Sequence, residues 1–395
     1  MDDVTDRPPL SRWSRAAKKT FNSRRIIGNV LGGTIGRSRA LRSLLHIYPS
    51  IGDPAAIARA RIVDREPAVS TIALEPHIDD FLRQYRDALR ECYAPGELRL
   101  RYDVDVFEMA DCDVLPWINL TVHRPSASIV QGRPRSHKMT IAPRIRRIAG
   151  SALVAGDMPS GFTNYYHFFE GLALALRALR AIPGPERVAL LFSDTAPAYQ
   201  RKILEAVVAG YPHLYIEYVA RREIARPDRL FQVFARAHHP ICRFAMRQEW
   251  REIGAITREC YGIGPSEQTR SVYFSRKRQE TRRLVNEAAL LPVFAKHGFE
   301  ILSPETLPHE DQVRMMTQTR RLAGVEGAAL INILFADKPI DMLEIFPQGA
   351  AYPFYVALAL QLGHRYRVVM SNPAGLNDAI TLDPAALDRA LQQIA

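Results

Sequence analysis

Residues 266–395 alternate short apolar runs with amphipathic stretches at intervals of about 20–25 residues, a rhythm that few folds accept. The runs near 271–275, 299–302, 320–323, 341–346 and 366–370 have strand length. Helices are predicted near 286–297, 309–318, 328–336, 353–362 and 384–394, with Asn286 placed to cap the first and Gly298 to close it. Strand, helix, strand, so repeated, folds into a parallel sheet with right-handed crossovers. Such sheets hold ligands at the carboxyl ends of their strands, so chemistry is expected in the loops just after them.

Ahead of this region the pattern is mixed. Val188–Phe192 is a continuous apolar run, Pro197–Ala209 has helical spacing with Gly210 at its end, and Leu214–Val219 is again a strand. Gly262-Ile263-Gly264-Pro265 reads as a linker. The expected organisation is a basic N-terminal extension (1–60), an acceptor-side α/β domain (61–265) and a nucleotide-binding Rossmann-like domain (266–395).

With 47% hydrophobic and 24% charged residues, the chain is neither disordered nor fibrous. No stretch has the roughly 18 apolar residues that cross a bilayer. The longest candidate, Ile26–Gly36, carries four glycines, runs into arginines and makes a poor secretory signal. Cys92, Cys112, Cys242 and Cys260 have no metal or redox spacing and read as reduced, buried thiols of a cytoplasmic protein. The net charge of +11 is uneven: residues 1–50 hold ten Lys/Arg against three Asp, and residues 131–150 hold six basic residues and no acid. Such charge suits an anionic membrane surface, a polyanionic substrate or nucleic acid, and equally a solvated tail and loop. Ser38–His46 has the pattern of a short basic amphipathic helix, fit to lie on a membrane or to pack on the main body.

Three loops after the predicted strands carry chemistry. The first is Ser275-Arg276-Lys277-Arg278, a hydroxyl and three cations. The second, Gly324-Val325-Glu326-Gly327-Ala328-Ala329, leads small residues into a helix at Leu330, where backbone N–H groups can meet a diphosphate. The third is Phe346-Pro347-Gln348-Gly349. The second loop matches neither a Walker loop nor the dinucleotide fingerprint, and alone it serves equally as a tight connection. Together, a basic loop and a small-residue loop point to a nucleoside-diphosphate ligand. Separately, His167 and Glu170 share one face at the start of an apolar helix opened by Asn164. They suit a base and its orienting partner, or a capping and packing cluster.

These residues resemble glycosyltransferase family 61, in its bacterial capsular-polysaccharide branch. The resemblance covers about 150–370 and rests on Asn164-Tyr165-Tyr166-His167 with Glu170, Tyr273-Phe274-Ser275-Arg276-Lys277, Leu284-Val285-Asn286-Glu287, Gly298-Phe299-Glu300, Glu310 with Gln312, Gly324 to Asn332 with Phe335, and Leu343-Glu344-Ile345-Phe346-Pro347. It implies two Rossmann-like domains facing a cleft (the GT-B arrangement), a nucleotide-sugar donor in the C-terminal domain, and inversion at the anomeric carbon. Carried over residue by residue, it implies donor contacts at Asn164, Ser275, Arg276, Lys277, Asn286, Glu287, Gly324, Glu326, Gly327, Ala328 and Asn332. In one departure, Glu326 stands where many relatives have His, and a carboxylate beside a diphosphate helps only if it faces sugar or ribose hydroxyls.

The expectation is thus an inverting hexosyl- or pentosyltransferase, cytoplasmic and peripheral at the inner face of the membrane. It would act on a glycan or lipid-linked glycan acceptor of a capsule or exopolysaccharide. Of the pair, Glu170 is favoured as base, on the argument that repulsion from an anionic donor and partial burial raise its pKa. His167 would then be its partner. No cofactor or metal is expected: Asp103-Val104-Asp105 has a metal-binding form but is predicted on a strand outside the donor loops. The rival reading is a non-catalytic basic protein binding nucleic acid or an anionic polysaccharide; a transferase relative without activity is a further one. Residues 131–150 lack the interleaved aromatics that single-strand nucleic-acid binding requires, so no nucleic-acid partner is expected.

Overall fold

The computed structural model describes residues 54–62, 67–116, 120–126, 128–131, 144–154, 164–182, 186–221, 223–237, 239–350, 353–375 and 378–394. The candidate helix at Ser38–His46 and residues 132–143 of the second basic run lie outside them.

Two sheets organise the α/β fold. The first contains β1 (Ala60–Ile62), β2 (Ala68–Ala73), β3 (Tyr93–Ala94), β4 (Glu97–Met109), β5 (Cys112–Leu115), β6 (Leu120–His123), β7 (Ser128–Gln131), β8 (Arg144–Val154), β9 (Val188–Ser193), β10 (Leu214–Val219) and β11 (Glu223–Ala237). Helices α1 (Pro76–Arg83), α2 (Tyr165–Leu179), α3 (Ala198–Ala209) and α4 (Arg247–Cys260) accompany it. Only β10-β9-β8-β11 is parallel, with α2 and α3 as its crossovers. The remainder is antiparallel: β4 pairs with β11 from Tyr102↔Ala237 to Met109↔Leu230, carries β1 and β2 on its other edge, and takes β3 at Glu97 and Leu98 on the edge opposite β2. A Rossmann-like first domain therefore describes just part of this sheet, because two long strands build an antiparallel ribbon beside the parallel unit. Asp103 and Asp105 lie on β4, as expected of a strand.

The second sheet follows the sequence closely. It comprises β12 (Arg270–Phe274), α5 (Glu287–Lys296), β13 (Glu300–Leu302), α6 (His309–Gln318), β14 (Thr319–Val325), β15 (Asp341–Pro347), α7 (Phe354–Leu362), β16 (Arg365–Pro373), β17 (Ile380–Thr381) and α8 (Pro384–Gln392). The order β13-β12-β14-β15-β16 is parallel throughout, with β17 antiparallel at the edge. This is a doubly wound order whose direction reverses between β12 and β14, the switch point where ligands seat. Strand alternation divides the core: Tyr273, Val325, Leu343 and Ile345 pack with Leu290 and Phe294 of α5 and Leu387 of α8. Val272, Phe274, Met342 and Phe346 face the other way, into an apolar cluster continuous with the first sheet.

The two ends of α5 differ in how they follow local chemistry. Gly298 closes α5 at φ +72, and Phe299 N–H returns to Phe294 O at 3.0 Å. Asn286 precedes α5 but does not cap it: its side chain clasps the backbone of Leu382, donating to the carbonyl at 2.8 Å and accepting from N–H at 3.2 Å. The expected helix after β14 is a 3-10 run, Ala328–Phe335.

The sheets are joined through α2 and α4. Arg177 and Arg180 of α2 both donate to Glu249 of α4, at 3.2 and 2.6 Å. Gly254 of α4 lies so close to the 3-10 run that a Cβ there would sit 2.1 Å from Leu334 O, so only glycine permits this crossing. From the far side, α1 sets Phe81 edge-on to Phe346, with ring centroids 5.4 Å apart.

Candidate active site

Asn164 caps α2, its side chain accepting from Tyr166 N–H at 3.0 Å and His167 N–H at 3.3 Å, so His167 is fixed in the first helical turn. The helix behind it is buried and apolar but for Glu170 and Arg177, and His167 stands half-buried in its first turn. His167 Nδ1 donates to Glu170 Oε2 at 2.8 Å, since an ionised carboxylate can only accept. The other Glu170 oxygen pairs with Arg243, and the Glu170 side chain is 3% exposed against 20% for His167. Burial works against the charge of Arg243, but the neighbouring Tyr166, Glu170 and Tyr102 outweigh it and raise its pKa. Trp250 Nε1–H anchors the Arg243 carbonyl at 3.2 Å. Glu170 is thus closed on both sides, by His167 and by Arg243.

Across the contact stand the strand ends of the second sheet. Arg243 lies over the Phe354 ring, 5.7 Å from its centroid, and the Tyr166 and Tyr355 rings meet at 6.3 Å. Phe354 lines an open cleft of about 660 Å³, with Arg282, Glu326, Gln348 and Asp378 among its other walls. The cleft lies at the carboxyl ends of β14, β15 and β16, where a doubly wound sheet delivers its ligands.

At the switch point Arg276, following β12, presses on Gly327, following β14. A Cβ on Gly327 would meet Arg276 Nη1 at 1.8 Å, so the glycine makes room for the guanidinium. Arg276 donates from Nη2 to Thr281 O at 3.0 Å, while its buried Nε has no partner and no carboxylate pairs with it among the described residues. Burial, followed by the nearby Arg282, lowers its pKa. Glu326 is 7% exposed and taken by Arg282, a non-glycine residue held at φ +51. Beneath it, Glu344 of β15 is fully buried, accepting from the Tyr366 hydroxyl at 2.7 Å with Oε1 unpartnered. Burial, then Glu326, pushes its pKa up to about 8.

The remaining expected donor contacts have local duties. Gly324 makes packing room, since a Cβ would be 2.9 Å from Leu330 Cδ2. Glu287 accepts from the Tyr273 hydroxyl at 2.8 Å in the core. Ser275, 6% exposed, accepts from Lys277 N–H at 3.2 Å. Ala328 is half-buried beside Gly327. Asn332 is fully buried between the sheets, accepting from Tyr165 and donating to Gln312 at 3.0 Å. Lys277 is exposed and lines a different cavity. Sequence reasoning passed over Arg243, Arg282, Glu344 and Tyr355; Glu344 lay in a quoted motif, but none of the four had a local signal of its role.

Cations gathered at the switch point of a doubly wound sheet, next to a histidine–carboxylate pair, suit an α/β enzyme that handles a small anionic substrate. The family model Glycosyltransferase 61 matches residues 113–343, more than half of the sequence, and the chain belongs to that family. It is a glycosyltransferase, with a sugar donor and a glycan acceptor. No curated protein matches it. Among the described residues no helix is long and apolar enough to cross a membrane, and no group of three or more His, Cys, Asp or Glu could hold a metal ion.

Proposed function

We propose that the protein is an inverting transferase of the GT-B arrangement, moving a sugar from a nucleoside diphosphate to a growing cell-surface polysaccharide. The observation that carries this reading is His167, held through Nδ1 by a buried carboxylate that Arg243 keeps paired. With Nδ1 committed to Glu170, Nε2 is the ring nitrogen left to accept a proton. The roles expected from sequence are thereby exchanged: His167 is the base and Glu170 its positioning residue.

In the step itself, the acceptor oxygen attacks the anomeric carbon and loses its proton to His167 Nε2. The bond from that carbon to the diphosphate oxygen breaks, and the electron pair leaves with the nucleoside diphosphate. The transition state is oxocarbenium-like. Arg276, a half-buried cation with no carboxylate paired to it among the described residues, meets the departing charge from the switch point. Glu326, neutralised by Arg282, faces hydroxyls rather than phosphate. The basic residues 1–50 suit attachment to the anionic inner face of a cell membrane, where lipid-linked acceptors lie.

A panel of nucleotide sugars, followed by nucleoside-diphosphate release, tests the reading. Slow hydrolysis of one donor is expected, and Arg276→Ala should weaken diphosphate binding by about 1.5–3 kcal/mol with little change in melting temperature. Failure to bind or hydrolyse any donor contradicts it.

A further inference from the structure

Residues 276–283 form a ridge between two cavities. On the inner side Arg282 lines the 660 Å³ cleft, and its charge is balanced there by Glu326, with Asp378 a second acid in the wall. On the outer side Lys277, Arg278 and Arg283 line another cavity of about 600 Å³, opposed by Glu280 alone. Ala379 lines both, so the two cavities adjoin.

The three outer cations are exposed, and none makes a side-chain hydrogen bond or ion pair among the described residues. A single unpaired surface cation is unremarkable. Three around one concavity focus a positive potential that draws anions from solution. The inner cleft alone falls within the roughly 300–1,000 Å³ of a pocket for a whole small ligand. The donor therefore has no need of the outer cavity, and a second concavity of opposite character, beside the first, suits the other substrate.

We infer that the outer groove holds an anionic glycan, the acceptor chain, whose carboxylate or phosphate groups meet Lys277, Arg278 and Arg283. This inference rests on the transferase reading above and makes the acceptor polymer negatively charged. Val285, 45% exposed in the groove, offers an apolar surface for the C–H face of a sugar ring. Single-stranded nucleic acid would need aromatic side chains to stack its bases, and the groove lining has none among the described residues. A membrane would call for a flat or protruding basic face rather than a concave one.

The test uses the full chain and the charge-reversal double variant Arg278→Glu/Arg283→Glu, which leaves Arg276 and the inner cleft untouched. Binding of a fluorescent polyuronate hexasaccharide is compared with that of a neutral glucan hexasaccharide, anionic vesicles and a nucleoside diphosphate. The wild-type protein should bind the polyuronate, more weakly as salt rises, and the neutral glucan far less. The double variant should lose polyuronate affinity by about tenfold or more, while diphosphate affinity stays within about twofold. Equal polyuronate binding by the variant, equal binding of the neutral glucan, or binding of vesicles without the oligosaccharide would overturn the inference. Loss of diphosphate affinity in the double variant would also overturn it, by returning the groove to the donor. Wild-type protein that binds polyuronate but no nucleotide would instead count against the donor reading alone.

Discussion

Gly327 and Arg276 show how a site can depend on the absence of one atom. Gly327 has extended backbone, φ 166, that any residue adopts, so Gly327→Ala carries no backbone strain. Its added methyl group must displace the Arg276 guanidinium. The expected outcome by calorimetry is diphosphate affinity reduced about as much as by Arg276→Ala, with nearly unchanged thermal stability. Glu344 gives a second residue-scale prediction. Its folded pKa of about 8 lies above the ordinary 4.5, so the folded state holds a proton that the unfolded chain releases. Stability from this group is complete below 4.5, falls as pH rises, and is fully lost above about 8. Glu344→Gln should flatten the decline in melting temperature between pH 5 and 8 (roughly the span of the shift). The meeting of the first loop with the glycine of the second was legible in the sequence, because strand ends and small residues mark themselves locally. Arg243 was not, since its meaning comes from a carboxylate on another element and nothing near Pro240–Ala245 signals that partner.

At the scale of elements, α4 is the part on which the two sheets depend. Gly254→Ala would drive a methyl group into the Leu334 carbonyl, and backbone cannot rotate away as a side chain does. A loss of about 1–3 kcal/mol by denaturant titration is expected, the usual cost of overpacking. The second sheet could be read strand by strand because each parallel strand is short, apolar and followed by a helix. The first sheet could not: β4 and β11 are long and pair antiparallel with each other across a wide sequence separation, and periodicity says nothing about which strands pair. Periodicity also separates helix from strand but not α from 3-10, which accounts for the run Ala328–Phe335. The donor contacts inferred at Asn286 and Glu287 illustrate the same limit, since the side chains that fasten a loop to its neighbour are of the same types that hold a ligand.

Over the whole molecule, hydrogen bonds run from one sheet's helices to the other's. Tyr261 donates to His309 Nδ1 at 3.0 Å, His309 Nε2 donates to the Tyr165 oxygen at 3.0 Å, and Tyr165 donates to Asn332. Burial lowers the His309 pKa to about 4, so the ring is neutral and the direction of the chain is fixed. Tyr165 stands two residues from His167, and the same chain that ties the sheets together sets the helix carrying His167 against the second sheet. The account's central claim is that His167, oriented by Glu170 and Arg243, takes the acceptor proton. It is tested most directly by the turnover of His167→Ala with donor and acceptor both saturating. The account predicts turnover reduced by roughly 10²–10⁴-fold, with nucleoside-diphosphate affinity unchanged within about twofold. Turnover close to that of the wild-type protein would contradict it.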